Sequence, residues 1–131
     1  MDLFPYLKSL VDMDKCAVVI CSLEHEIIYM NPAAARRYAN RGGKELLGKS
    51  LLECHNADSC EKIHKVIQWF QMSTEHNIMY TYRNEQENKD VYMVALREEK
   101  GNLIGYYEKH EYRNVETGQL YKGVEEVSAY E

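Results

Sequence analysis

The chain has 131 residues, of which 45% are hydrophobic, and this supplies one core rather than two. Its net charge is −5 and it lacks a Lys/Arg-rich block, which argues against direct binding to nucleic acid or to an anionic membrane. No stretch approaches the roughly 18 apolar residues of a membrane-spanning helix, and the start lacks a signal-peptide pattern. The four cysteines are unevenly spaced, so we expect free thiols in a cytoplasmic protein.

The first segment, residues 1–14, is predicted to contain a short amphipathic helix. Its apolar residues recur at helical spacing, at Leu3, Phe4, Leu7, Leu10 and Val11. In a monomer this stripe would be left exposed or folded back on the sheet, and exposed apolar patches mark contact sites. We therefore expect a homodimer that forms through residues 3–11.

Two strands and a helix are predicted next. Residues 16–21 are a run rich in β-branched side chains without alternation, typical of a strand covered on both faces, and residues 27–29 predict a second strand. Asn31 is a good helix N-cap and Pro32 is tolerated at the first helical position, so a helix is predicted to begin there. It should end at the glycine pair 42–43.

Two further helices are predicted from the capping-box spacing of residues 50–53 and of residues 58–61. The second is the longer. Its apolar face consists of Ile63, Val66, Ile67 and Phe70. This face must pack against another apolar surface.

Three strands are predicted at residues 78–82, 91–96 and 103–112, separated by polar corners. Two strands, a helical middle and three strands predict an α+β fold, a five-stranded antiparallel sheet with helices across one face, plus the N-terminal amphipathic helix. This arrangement encloses a pocket between sheet and helices. We expect the domain to span residues 15–113 and the acidic tail, residues 114–131, to be weakly ordered.

Two sequence blocks carry a resemblance to a known family. Residues 28–34 (Ile-Tyr-Met-Asn-Pro-Ala-Ala) and 44–49 (Lys-Glu-Leu-Leu-Gly-Lys), with a glycine-rich hairpin at 101–106, resemble the pattern of PAS domains in order and spacing. Residues 53–56 (Glu-Cys-His-Asn) are similar to a variant seen in PAS domains of anaerobic bacteria, sometimes beside hemerythrin-like domains. The resemblance implies a PAS-like sensor that binds a small ligand, dimerises or contacts a signalling partner, and leaves catalysis to other domains.

The sequence departs from the family pattern at two places. The Asp-Gly that usually joins the first two strands is replaced by Glu24-His25-Glu26. The Asp-Ile-Thr that often ends the last strand is replaced by residues 110–112, His-Glu-Tyr. The second departure bears on whether a standard coupling helix follows.

Eight residues are predicted to contact a ligand in the pocket. They are Ile63, His64, Ile67 and Phe70 on the long helix, Tyr80 and Tyr106 on strands, and Cys54 and His55 in the corner between two helices. Alternation on the last strand adds a face with Tyr106, Glu108 and His110, which also includes Ile104 and Tyr112. If that face meets the pocket, it offers a hydroxyl, a carboxylate and an imidazole to a polar ligand.

Two sets of residues suggest cofactor chemistry, namely His64 and the thiols of Cys54 and Cys60. His64 resembles the axial histidine of haem-binding PAS domains, and the alternative is a boundary histidine with a surface hydrogen bond. Cys54, His55 and Cys60 suggest a redox or metal site, and the alternative is a buried thiol beside a loop histidine. A photoactive flavin adduct is disfavoured because Cys54 and His55 do not match the Gly-x-x-Cys-Arg type of motif.

The sequence leaves three functions open. The first is a sensory module that binds a small molecule and signals through a dimer or partner. The second is a ligand-free interaction or dimerisation module, and the third is a haem-based gas or redox sensor. The chain carries no phosphate loop, metalloprotease motif or nucleophile elbow, so we expect no enzymatic activity.

Overall fold

The computed structural model describes residues 1–124 and contains three α-helices, five strands and three short 3₁₀ turns in that range. The helices are α1 (Phe4–Asp12), α2 (Pro32–Arg37) and α3 (Ala57–Met72), and the strands are β1 (Val19–Ser22), β2 (Ile27–Met30), β3 (Ile78–Asn84), β4 (Lys89–Arg97) and β5 (Leu103–Tyr112). The 3₁₀ turns are Ala39–Arg41, Gly43–Leu46 and Leu51–Cys54. The predicted α+β fold class is confirmed.

One antiparallel sheet has the strand order β2-β1-β5-β4-β3. The first and last strands are central neighbours, with Cys21 opposite Tyr106. Gly105 permits this close approach, because a Cβ there would lie 2.3 Å from the carbonyl oxygen of Cys21. The five-stranded antiparallel sheet predicted from the element order is therefore confirmed.

Helix α3 packs on one face of the sheet. Its Ile67 and Phe70 are buried against Cys21, Met93 and Tyr106 from three strands, and Phe70 is fully buried. The remaining members of this core cluster are Ala17, Ile27, Met30, Ala34 and Leu46. The helical spacing of apolar residues thus identified the face of α3 that meets the sheet.

Asn31 joins three segments of the chain. Its side-chain oxygen accepts hydrogen bonds from the backbone N–H groups of Val18 and Ala34, each at 2.9 Å. Its amide nitrogen donates to the carbonyl oxygens of Val11 and Cys16, each at 3.0 Å. The residue is fully buried, so it caps α2 and also ties the end of α1 to the segment before β1.

Arg97 holds the C-terminal end of α3 against the sheet. Its guanidinium donates to the carbonyl oxygens of Phe70, Ser73 and His76 at 2.7–3.1 Å. The same group donates to Gly101 O and to Asn77 Oδ1. Within the last turn of the helix, the carbonyl of Phe70 gains a partner in this way, and the segment that follows the helix is held by the others.

Several predicted boundaries are corrected. Helix α3 is capped by Asn56, whose side chain accepts from the N–H of Ser59, rather than by Asp58. The first strand begins at Val19 instead of at residue 16. A register shift beside Arg97 places Ile104 outward, 55% exposed, so it does not share the inward face of Tyr106.

Helix α1 forms as predicted but has no buried residue. Residues 113–124 contain no helix or strand, and the rest of the predicted acidic tail, residues 125–131, lies outside the described residues. Within the described part of the chain, no helix is both long and apolar enough to cross a bilayer.

Candidate ligand site

A cavity of about 130 Å³ lies between the sheet, the 3₁₀ turns and the start of α3. Its apolar wall is formed by Ala17, Val19, Cys21, Ile27, Met30, Leu46, Leu51, Ile63 and Met93. Its polar side is formed by Tyr38, Arg41, Cys54, His55, Tyr106, Glu108 and His110. An apolar cavity of similar size, about 150 Å³, binds benzene or xenon, so this one is sized for a small molecule.

A chain of polar contacts leads from the cavity to the protein surface. His110 Nε2 lies 2.8 Å from Glu108 Oε1, and His110 Nδ1 lies 2.9 Å from Lys89 Nζ. Lys89 is 2% exposed and reaches Glu87 Oε2 at 3.5 Å, and Glu87 pairs through both oxygens with Arg37 on α2. An ammonium only donates and a carboxylate only accepts, so His110 carries its proton on Nε2.

The carboxylates at both ends of this chain are ionised at neutral pH. Burial alone would raise the pKa of Glu108, but the hydrogen bond and charge of His110 outweigh it and leave that pKa below its ordinary value. The hydrogen bonds from Arg37 lower the pKa of Glu87 to about 2. The cavity therefore presents a negative oxygen at Glu108.

Tyr106 and His25 form a second buried contact behind the cavity wall. His25 Nδ1 lies 2.7 Å from the Tyr106 hydroxyl, and the His25 ring lies 5.0 Å from the ring of His64. Burial raises the pKa of Tyr106 and, with the nearby charge of His64, lowers the pKa of His25. His25 stands at the first of the two departures from the family pattern, with a left-handed φ of 67°.

His25 should make the stability of the protein pH-dependent. Its folded pKa lies below the ordinary value of 6.5, so the unfolded chain binds the proton more readily. We expect the free energy of unfolding to be constant above pH 6.5 and to fall as the pH drops through the folded pKa. Denaturant unfolding measured between pH 8 and pH 5 checks this.

Substitution of His25 should show whether this residue causes the pH dependence of stability. His25→Asn tolerates the left-handed backbone and should flatten the fall in stability, because the titrating ring is gone. His76→Asn, a matched change at a histidine that contacts Trp69 instead, should keep it. An unchanged pH profile in His25→Asn would contradict the assignment.

Four of the eight predicted contact residues line the cavity, namely Cys54, His55, Ile63 and Tyr106. Ile67 and Phe70 lie in the adjoining core and are not part of the cavity wall. His64 is exposed and lies outside the cavity beside His25. Tyr80 is 55% exposed and lines an outer groove between α3 and β3.

On the last strand, Tyr106, Glu108 and His110 face the cavity together, as the alternation predicts, whereas Tyr112 is 42% exposed. Sequence reasoning missed the cavity residues Tyr38 and Arg41 and the buried Lys89. The sequence pattern identified Tyr38 only as an apolar residue near the end of the helix that begins at Asn31. Arg41 and Lys89 had none, because charged residues are usually solvated.

The arrangement does not fit haem. His64 is exposed and does not face the cavity, and the cavity is smaller than the roughly 300–1,000 Å³ of pockets that hold drug-sized ligands. Within residues 1–124, no three His, Cys, Asp or Glu side chains are grouped to hold a metal ion. The cavity thiol of Cys21 has a pKa raised to about 11 by burial, so it is neutral at physiological pH.

A family model described as PAS domain matches residues 15–108. The chain belongs to the PAS domain family, whose members are sensory and signalling modules. Comparison with curated protein sequences found no match. The further resemblance of residues 53–56 to a variant from anaerobic bacteria stays a prediction.

Solved structures share the fold. The chain is similar to the PAS domain of a protein from Colwellia psychrerythraea, with a TM-score of 0.62 and 15% identity over 85% of this chain and 97% of that one. It is also similar to a sensory box sensor histidine kinase from Vibrio cholerae, with a TM-score of 0.56 and 16% identity over 82% and 89%.

A third similar structure is the Aer2 receptor of Vibrio cholerae, described as a dual PAS-heme oxygen sensor. Its TM-score is 0.51, with 18% identity over 72% of this chain and 90% of that one. At these identities the likeness concerns the fold alone.

Proposed function

We propose that this chain is a non-catalytic sensory module that binds a small molecule in the cavity and passes the signal to a second copy or a partner protein. The observation that carries the proposal is the cavity itself, which has an apolar wall on one side and fixed polar groups on the other. Residues 15–113 form the sensory unit in this proposal. The cytoplasmic location and the absence of membrane and nucleic-acid binding belong to it as predictions from the sequence.

Filling the cavity should abolish ligand binding. Ala17 is 7% exposed and lines the cavity, so the larger side chain of Ala17→Leu should occupy ligand space. With benzyl alcohol as the probe, we expect the dissociation constant of Ala17→Leu to rise at least about tenfold while stability changes by less than about 2 kcal/mol. Amide chemical shifts in an NMR titration give the constant.

Ala57→Leu makes the same change at an exposed position outside the cavity and should bind the probe like the parent protein. Native mass spectrometry of the purified protein tests in addition for a ligand that copurifies. If benzyl alcohol shifts no amide of the cavity wall in the parent protein, the proposed function fails. Equal binding by Ala17→Leu would place the probe elsewhere.

Signal output is proposed to pass through helix α1, by dimerisation. Four apolar side chains at this helix are 58–72% exposed, namely Leu3 just before it and Phe4, Leu7 and Leu10 on it. They form an apolar surface with nothing over it in one copy of residues 1–124. Burying a leucine stabilises by roughly 1.5–3 kcal/mol, so two helices that pack together would hold two copies. A second copy supplies an equally apolar surface.

Leu7→Glu should weaken the dimer. A buried carboxylate without a partner is costly, so we expect the dimer dissociation constant to rise at least about tenfold. Sedimentation velocity over a concentration series measures it. Ser9→Glu introduces the same charge on another side of α1 and should leave the dimer in place. A parent protein that stays monomeric at all concentrations would contradict dimerisation through α1.

A further inference from the structure

The polar side of the cavity holds two acceptors whose hydrogen-bonding roles are fixed. Glu108 Oε1 accepts from His110, and among residues 1–124 no other group donates to this carboxylate, which has room for more donors. His55 Nδ1 lies 3.0 Å from the carbonyl oxygen of Leu51. Since a carbonyl only accepts, Nδ1 carries a proton, so a ring with a single proton has Nε2 as its acceptor.

The role of Glu108 cannot easily be reversed. If His110 did not donate a hydrogen bond to Glu108, the ring would have to carry its proton on Nδ1, where it would face the ammonium of Lys89. The side chains of His110 and Lys89 are 4% and 2% exposed, so water cannot readily take the place of Lys89. The Glu108 side chain is 48% exposed, and the hydrogen bond from His110 orients its carboxylate before a ligand arrives.

The donors on the cavity wall are less constrained. The Tyr38 hydroxyl both donates and accepts, so it adapts to either kind of ligand group. Arg41 is exposed, and within residues 1–124 it forms no ion pair or side-chain hydrogen bond. Fixing the Arg41 side chain on a ligand costs conformational entropy, whereas the Glu108 carboxylate is already oriented by its hydrogen bond from His110.

We propose that the ligand is a small amphipathic molecule with an apolar body about the size of a benzene ring and a head group that donates hydrogen bonds. A protonated amine is preferred over a carboxylate of the same shape, because the head group meets Glu108 and His55. The apolar body lies against the wall that includes Ala17, Ile27 and Met30. This inference rests on the proposed function and names the ligand class for the same site.

Four probes of one shape test the ligand class. Benzylamine, benzyl alcohol, benzoate and toluene are titrated into the protein at neutral pH, and dissociation constants are taken from amide chemical shifts. A charge-assisted hydrogen bond is roughly twice as strong as a neutral one, so benzylamine should bind at least about tenfold more tightly than benzoate. Benzyl alcohol should fall between them.

Glu108→Gln keeps a carbonyl for His110 but removes the charge, so the preference for benzylamine over benzoate should fall to about one. Glu111→Gln makes the same change on the same strand at a residue outside the cavity wall, so it is the matched control and should retain the preference. Spectra of both variants that overlay on the parent spectrum away from the cavity show that the fold is intact.

The outcomes separate the two proposals. If no probe, toluene included, shifts the amides of the cavity wall, the proposed function fails and this inference with it. If the probes bind but benzoate binds as tightly as benzylamine, the ligand class is wrong while the cavity remains a binding site. A preference that persists in Glu108→Gln, or that disappears in Glu111→Gln, overturns the assignment to Glu108.

Discussion

Asn31→Ala is expected to lower the free energy of unfolding by roughly 3–4 kcal/mol, the largest effect of any substitution considered. The change removes the N-cap of α2, which alone costs about 1 kcal/mol. It also strips the N–H of Val18 and the carbonyl of Cys16 of a partner, and an unsatisfied buried group costs about 1–3 kcal/mol. Urea denaturation measures the loss.

The second asparagine N-cap provides a matched control for this prediction. Asn56 caps α3 through one bond to Ser59 N at 2.8 Å, and it is exposed. Asn56→Ala should therefore cost only about 1 kcal/mol. If both variants lost the same stability, Asn31 would act as an ordinary cap and its links to the end of α1 would contribute nothing measurable.

Lys89→Met is expected to lower the free energy of unfolding by about 2–3 kcal/mol. It should also allow His110 to change its tautomer. Methionine fills similar space, but His110 Nδ1 is left buried without a donor. The ring can then carry its proton on either nitrogen, so the hydrogen bond from His110 Nε2 to Glu108 is weakened. Denaturant unfolding gives the stability, and ¹⁵N NMR of the imidazole reports the tautomer.

Lys109→Met is the control for Lys89→Met on the neighbouring strand. Lys109 pairs with Glu111 at 2.6 Å but its side chain is 43% exposed, and exposed ion pairs contribute less than about 1 kcal/mol. This variant should remain close to the parent protein in stability and in the His110 tautomer. A parent protein whose His110 carries its proton on Nδ1 would refute the polar chain from Glu108 to Glu87.

Most of the fold could be predicted because its signals are local. The Asn31–Pro32 pair marks the start of α2. The helix ends at Arg37, before the predicted glycine pair, and Gly42 with a φ of 116° ends the 3₁₀ turn that follows. The apolar spacing of α3 gave the face that meets the sheet. Such signals act within a few residues, so they can be read without knowledge of the tertiary structure.

The candidate site was predicted only in part, because it depends on distant pairings. Helical spacing places His64 beside Ile63, but only the packing of α3 shows that Ile63 faces the cavity and His64 faces solvent. Tyr80 lies on the edge strand β3 near a register shift, where alternation no longer predicts the buried side.

Lys89 illustrates the same limit for a charged residue. A lysine at the start of a strand is normally solvated, and its burial here depends on His110 on the neighbouring strand. The register that brings the two together, with Val91 opposite His110, is set by the whole β4–β5 pairing. No local pattern in the sequence carries that information.

The central pairing of β1 with β5 bears on how the molecule acquires its structure. Cys21 and Tyr106 are opposite each other although they are far apart in the chain, so the topology is non-local at the centre of the sheet. Folding of such topologies is slow, because a long loop must close before its contacts repay the entropy lost. During synthesis on the ribosome, the β1–β2 hairpin is made before β5, so one edge of β1 stays unpaired until β5 is available. The cavity can form only after β5 has paired with β1.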